Sequence, residues 1–187
     1  GMDVPVWLQQ MPSVDVVVVE PDRLHAEMIR ISARLNNVEQ HVKVHEQIAW
    51  HTGDLQLPFH RLQYFNSAGS FVGVNVSPGS QNNLYGTKSA LEAISEYVNQ
   101  SAAETLPHMV INVPTVTLDK LLADDLYAGR LIMMKIDVEF TEMHAFRGAT
   151  QLFATNRIVL IHLEYAPAAH RLDGVTGVEL LQFLVDQ

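Results

Sequence analysis

Hydrophobic positions along this chain fall into two rhythms. Residues 14–20, VDVVVVE, form an almost unbroken β-branched run that closes on Glu20 and Pro21. A run this apolar predicts a strand covered on both faces, the condition of a parallel sheet flanked by helices. Behind it the spacing lengthens. Leu24, Met28, Ile31 and Leu35 recur at three and four residues, which predicts a helix with these four on one face. Asp22 is placed to cap its first turn, and Asn36-Asn37 ends it. Residues 41–50, HVKVHEQIAW, alternate as a second strand, with His41 and His45 on one face.

Ahead of these, residues 4–10 read as a short helix or an irregular lead-in stopped by Pro12. From residue 52 to 76 the pattern shortens. Gly53-Asp54 predicts a turn, and residues 55–59 and 71–76 predict short strands in a hairpin-like excursion. Residues 77–81 read as loop and 88–99 as a helix striped by Leu91, Ile94 and Val98, so that 79–108 becomes a helical insertion on the fold. Residues 110–116 return to strand, and Thr117-Leu118-Asp119 open a helix over 120–126. Residues 157–165, RIVLIHLEY, predict a strand reaching Glu164, and 178–185 a closing helix. Apolar strands alternating with amphipathic helices predict a single α/β domain: a doubly wound, mostly parallel sheet with right-handed crossovers.

The densest pattern lies at residues 131–148, LIMMKIDVEFTEMHAFRG. Leu131-Ile132-Met133-Met134 predicts a strand buried on both faces, with the two methionines as core packing. Charge then appears at every second position, Lys135, Asp137 and Glu139. Strand alternation puts all three on one side at the carboxyl end. A helix follows, with Thr141 as N-cap, Glu142 in the first turn, and Met143, Phe146, Ala149 and Leu152 at helical spacing. Open α/β sheets bind ligands beyond the carboxyl ends of their strands, so strand, carboxylates and helix in this order mark a candidate site.

Composition narrows the function classes. The chain is 48% hydrophobic, a globular balance, and its formal charge of -9 argues against non-specific nucleic-acid binding. No apolar run approaches the ~20 residues of a membrane span, so no membrane partner is expected. The absence of cysteine removes disulfides and thiolate metal sites and fits the cytoplasm.

The chemistry has bland readings and sharper ones. Charges on an apolar strand need partners, so Lys135 pairs with a neighbouring carboxylate as a structural ion pair, or the acids line a pocket. In the second case Asp137 or Glu139 orients a ligand or acts as a base whose pKa is raised by burial. Glu20 either accepts hydrogen bonds from ribose hydroxyls, as acids at strand ends do in nucleotide-binding sheets, or merely adjoins the helix cap. His162 and Glu164 share a strand face and, with Asp137 and Glu139, would offer an oxygen-rich metal site. No ligand spacing of the HExxH kind supports one, and no metal is expected. His25, His51 and His60 read as surface or loop residues, and His144 as facing solvent or a neighbour.

Four of these segments resemble the FkbM family of S-adenosylmethionine-dependent methyltransferases, in the family's order. VVVVEP at 16–21 resembles its second strand and acidic turn, and VPTVTLDKLL at 113–122 its V-x-T-L-D-x-L segment. Lys135-Ile136-Asp137-Val138-Glu139, with Glu142 and Arg147-Gly148-Ala149, resembles K-I-D-V-E-G-x-E-x-x-x-L-x-G-A; residues 158–164 resemble the next strand. The third match is the specific one.

The resemblance implies a Rossmann-like methyltransferase fold and methyl transfer to oxygen, on a sugar or natural-product hydroxyl. It implies that Glu20 binds the cofactor's ribose, that Ile48 and Ala49 lie near its adenine, and that Asp137 and Glu139 stand beside its methionine end and the acceptor. The chain departs from the family in three places. Nothing before Val14 resembles the glycine-rich loop, Phe140 replaces the glycine after KIDVE, and no closing strands follow Gln187. A domain trimmed at both ends is implied, whose exposed sheet centre would close by direct pairing of the strands ending at Val19 and Met134, or against a second copy. The partners implied are a small-molecule or glycan acceptor and a possible homo-oligomer. Two other readings stand beside this one: a catalytically degenerate relative with an interaction role, and a different α/β enzyme using Asp137, Glu139 and Glu164 with a divalent metal.

Overall fold

The computed structural model describes residues 14–62, 71–72, 108–123, 127–165 and 174–187. The expected lead-in helix at 4–10, most of the insertion at 79–108 and its helix at 88–99 lie outside them. Strand β1 (Val16–Val19) pairs in parallel with β2 (Val42–His45). Helix α1 (Arg23–Leu35) and a 3-10 turn (Glu39–His41) connect them. Asp22 caps α1 as its chemistry predicts, its Oδ1 accepting from the Leu24 amide at 2.7 Å and the His25 amide at 3.4 Å. Asn36 closes the helix by donating from its side chain to the Ser32 carbonyl at 2.8 Å, and Asn37 turns the chain at φ 54°.

The four residues expected on one face of α1 do share a face, and it is the outer one. Ala26, Ile29 and Ala33 are its buried residues, whereas Leu24, Met28, Ile31 and Leu35 are 54%, 57%, 43% and 78% exposed. Both sets recur with helical period, so periodicity finds the helix without choosing its inner face. The small alanines let α1 approach closely, and Arg30 pins that orientation by bonding Glu46 at 2.5 Å and the Val44 carbonyl at 3.1 Å.

The predicted strand at 41–50 breaks at Glu46-Gln47. Its first half is β2; its second is β3 (Ile48–Ala49), which joins another sheet. His41 belongs to the 3-10 turn and does not share a strand face with His45. The excursion forms as expected: β4 (Gln56–Leu62) is antiparallel to β5 (Phe71–Val72) and to β6 (His108–Val116). Strand β6 pairs in parallel with β3, giving the order β3-β6-β4-β5. Helix α2 (Leu118–Leu121) follows, with Thr117 Oγ1 accepting from the Lys120 amide at 3.1 Å.

Strand β7 (Ile132–Ile136) pairs in parallel with β8 (Ile158–Leu163). The expectation that β7 is buried on both faces is corrected. Ile136 is buried and Met134 packs against the core, but Met133 is 57% exposed and its cross-strand partner Leu160 55%. Helices α3 (Glu142–Arg147) and α4 (Thr150–Ala154) connect the two strands, broken at Gly148-Ala149. There the backbone passes so close to Trp50 that a Cβ on Gly148 would overlap its carbonyl. Met143, Phe146, Ala149 and Leu152 keep their predicted phase and form the main core with Ile136 and Leu180. Leu180 comes from α5 (Gly177–Val185), whose capping box joins Thr176 and Glu179.

The described residues are therefore α/β, with three hydrogen-bonded sheets among them, β1-β2, β3-β6-β4-β5 and β7-β8, and no continuous ladder joining the three. Direct pairing of β1 with β7 does not occur among the described residues. Side chains join these two strands. Asp15, just before β1, bonds Arg130, just before β7, and also His41 at 2.9 Å, while Val19 packs against the core that holds Ile136. Among the described residues no helix is long and apolar enough to cross a membrane.

Candidate functional site

Four acids gather where β7 and β8 end. Lys135, the last charged residue of β7, donates from Nζ to Asp137 Oδ2 at 2.9 Å, so the predicted ion pair forms. Glu164 follows β8, its amide donating to the Ile136 carbonyl at 3.2 Å, and its carboxyl is electrostatically tied to that of Asp137. Burial pushes Asp137 up, but the hydrogen bond and charge of Lys135, with the bond to Glu164, outweigh it and hold Asp137 below the usual range. Glu164 takes the opposite shift, raised by its hydrogen bond to Asp137 and by that residue's charge.

Glu139 stands in the turn between β7 and α3. Burial, reinforced by the charges of Asp137, Glu164 and Glu142, pushes its carboxyl up to about 7. The turn is tight: Glu139 has φ 49° and Phe140 φ 78°, both in the left-handed region. Glu142 holds it from beneath. Its carboxylate is 2% exposed and accepts from the amides of Val138 and Phe140 at 3.4 Å each. Thr141, expected as a side-chain cap, instead donates from its hydroxyl to the Val138 carbonyl at 2.9 Å, which closes the same turn.

Glu20 lies at the end of β1, where its amide donates to the His45 carbonyl at 3.0 Å. Its Oε1 accepts from the Asp22 amide at 2.9 Å, with His25 Nδ1 3.9 Å away, and burial raises its carboxyl. Among the described residues no hydrogen bond or ion pair joins it to the acids at β7 and β8. Ile48 and Ala49 form β3 and are 3% and 6% exposed, inside the packing of Trp50 and Phe59 on one side and the main core on the other. His162 lies across from Lys135 on the exposed face of β8. Among the described residues no group of three histidines, aspartates or glutamates has the geometry to hold a metal.

Two features were not legible in the sequence. His144 stacks on Trp50 at 3.7 Å between ring centroids and 11° between planes, and its Nδ1 meets His51 Nδ1 at 2.8 Å. Residues 93 positions apart offer no local signal for this. Asp119 is the other. Its carboxylate accepts from the amides of Gln151 and Leu152 at 3.0 and 2.8 Å, capping α4 from outside, while its own amide donates to the Gly148 carbonyl at 2.9 Å. The TLDKL and RGA segments are thereby one structural unit.

No curated protein and no solved structure matches this chain. The family described as the methyltransferase FkbM domain matches residues 9–187, a span that includes the acid cluster, Glu20, β3 and the Asp119–Gly148 unit. This chain belongs to the FkbM methyltransferase domain family.

Proposed function

We propose that this chain is an S-adenosylmethionine-dependent methyltransferase acting on a hydroxyl oxygen of a sugar or natural-product acceptor, in the cytoplasm. The observation that carries the reading is Glu139. A carboxyl with a pKa of about 7 is partly ionised at neutral pH and suited to take a proton from an acceptor hydroxyl. Methyltransferases of this family generally depend on S-adenosylmethionine. The donor set suits that group at two points. Glu20 offers acceptor-only oxygens for a ribose diol, and the acids at β7 and β8 set a negative field favourable to a sulfonium.

When bound, that cofactor supplies a methyl group on a positively charged sulfur. The chain's residues do the rest. Glu20 would hold the ribose, Ile48 and Ala49 would back the adenine from within β3, Asp137 would orient the methionine end, and Glu139 would take the acceptor's hydroxyl proton. Holding acceptor and methyl donor in line would supply most of the acceleration. In this reading β2-β1 and β7-β8 are the two halves of one doubly wound sheet, a placement supported by the Asp15–Arg130 bond beside their first residues.

Calorimetric titration with S-adenosylhomocysteine tests it. Saturable binding is expected, weakened by about 1.5–3 kcal/mol in Glu20→Ala, the span of a hydrogen bond to a charged group. Absence of binding would leave a second reading, a non-catalytic interaction domain. That reading is favoured by Phe140, which fills the family's glycine position beside the acids.

A further inference from the structure

Helix α1 has two apolar faces on opposite sides. One packs inward through Ala26, Ile29 and Ala33; the other, Leu24, Met28, Ile31 and Leu35, faces solvent. We propose that this outer face joins two copies of the chain, α1 packing antiparallel to its mate about a two-fold axis. The inference rests on α1 alone and is independent of methyl transfer.

Three features favour a second copy as the occupant. The outer residues are spaced four, three and four apart, the d-a-d-a seam of a heptad. That spacing reads the same from either end. A two-fold contact needs a patch complementary to its own rotated copy, and here antiparallel packing stacks Leu24 on Leu35 of the partner subunit and Met28 on Ile31 of the partner subunit. The third feature is charge. Glu27 and Arg34 border the same edge of the seam and pair within the helix at 3.1 Å. Antiparallel packing brings each Glu27 to Arg34 of the partner subunit, closing four alternating charges. Parallel packing would set Glu27 against the partner's Ser32 and form no charge pair. A 13-residue helix is about 20 Å long, so the contact belongs to the class below ~1,200 Å², and the dimer is concentration-dependent.

Sedimentation of the full chain from about 1 to about 300 µM, the range of weak affinities, should show a mass rising from one copy toward two. Ile31→Glu should abolish that rise while circular dichroism stays unchanged. Glu27→Arg should weaken dimerisation, and adding Arg34→Glu should restore it. The chain has no cysteine, so orientation can be read by oxidation even if Ile31→Glu fails to fold. Leu24→Cys mixed with Leu35→Cys should cross-link, and neither should cross-link to itself. A single-copy mass throughout, a dimer indifferent to Ile31→Glu, or self-cross-linking of Leu24→Cys would each overturn the proposal.

Discussion

Phe140 occupies a backbone conformation that L-residues avoid, because at φ 78° the Cβ crowds its own carbonyl. Glycine relieves that contact. Phe140→Gly and Phe140→Ala lose the same ring and differ by one methyl, so Gly should be the more stable by about 1 kcal/mol. Chemical denaturation reads the difference, and an Ala variant equal to Gly would mean that the turn has relaxed. Its neighbour Glu139 sets a pH dependence. A carboxyl raised from 4.5 to about 7 holds its proton in the folded state after the unfolded chain has released it. Stability from this group therefore falls as pH rises through that interval. Glu139→Gln should flatten the fall and, if Glu139 is the base, lower turnover about 10²–10⁴-fold. A variant with unchanged turnover would remove it from the chemistry. The acids were legible because alternation along an apolar strand exposes an odd set of charges. The buried Glu142 beneath them was not, since a first-turn glutamate on a helix is ordinary and only the fold brings the Val138 and Phe140 amides to it.

At the scale of elements, α4 begins without a cap of its own, and Asp119 supplies one from the first turn of α2. Asp119→Ala should cost about 1–2 kcal/mol, the range for losing a helix N-cap, with Asn recovering part of it. A stability change within ~0.5 kcal/mol would show that water replaces the carboxylate. Helix positions were largely readable, because Asp22 stands where a cap belongs and Thr117-Leu118-Asp119 opens the helix after β6. Helix facing was not. In α3 and α4 one set of large residues leaves a single solution, and Met143, Phe146, Ala149 and Leu152 all pack inward. In α1 two sets compete, and the smaller one packs inward.

At the scale of the molecule, side chains and not a ladder join β1 to β7, with Asp15 bonded to both Arg130 and His41. Those hydrogen bonds hold the Asp15 carboxyl below its usual value. A depressed carboxyl adds stability present above its unfolded pKa and lost as pH falls through the folded one. The chain should therefore weaken below about pH 4, and Asp15→Asn should already be weakened at neutrality and lose less on acidification. Parallel acid titrations of the two proteins check this; superimposable curves would mean the tie carries no stability.

The order of strands and helices, the Asp22 cap, the family and the run of acids after β7 are local properties, set by side-chain spacing and by the few residues able to end or start an element. Which face of α1 packs, where the strand after α1 splits between sheets, and how far Glu139 is lifted toward neutrality depend on neighbours distant in the chain. Those were decided only when packing placed small residues against backbone and one carboxylate within the field of three others.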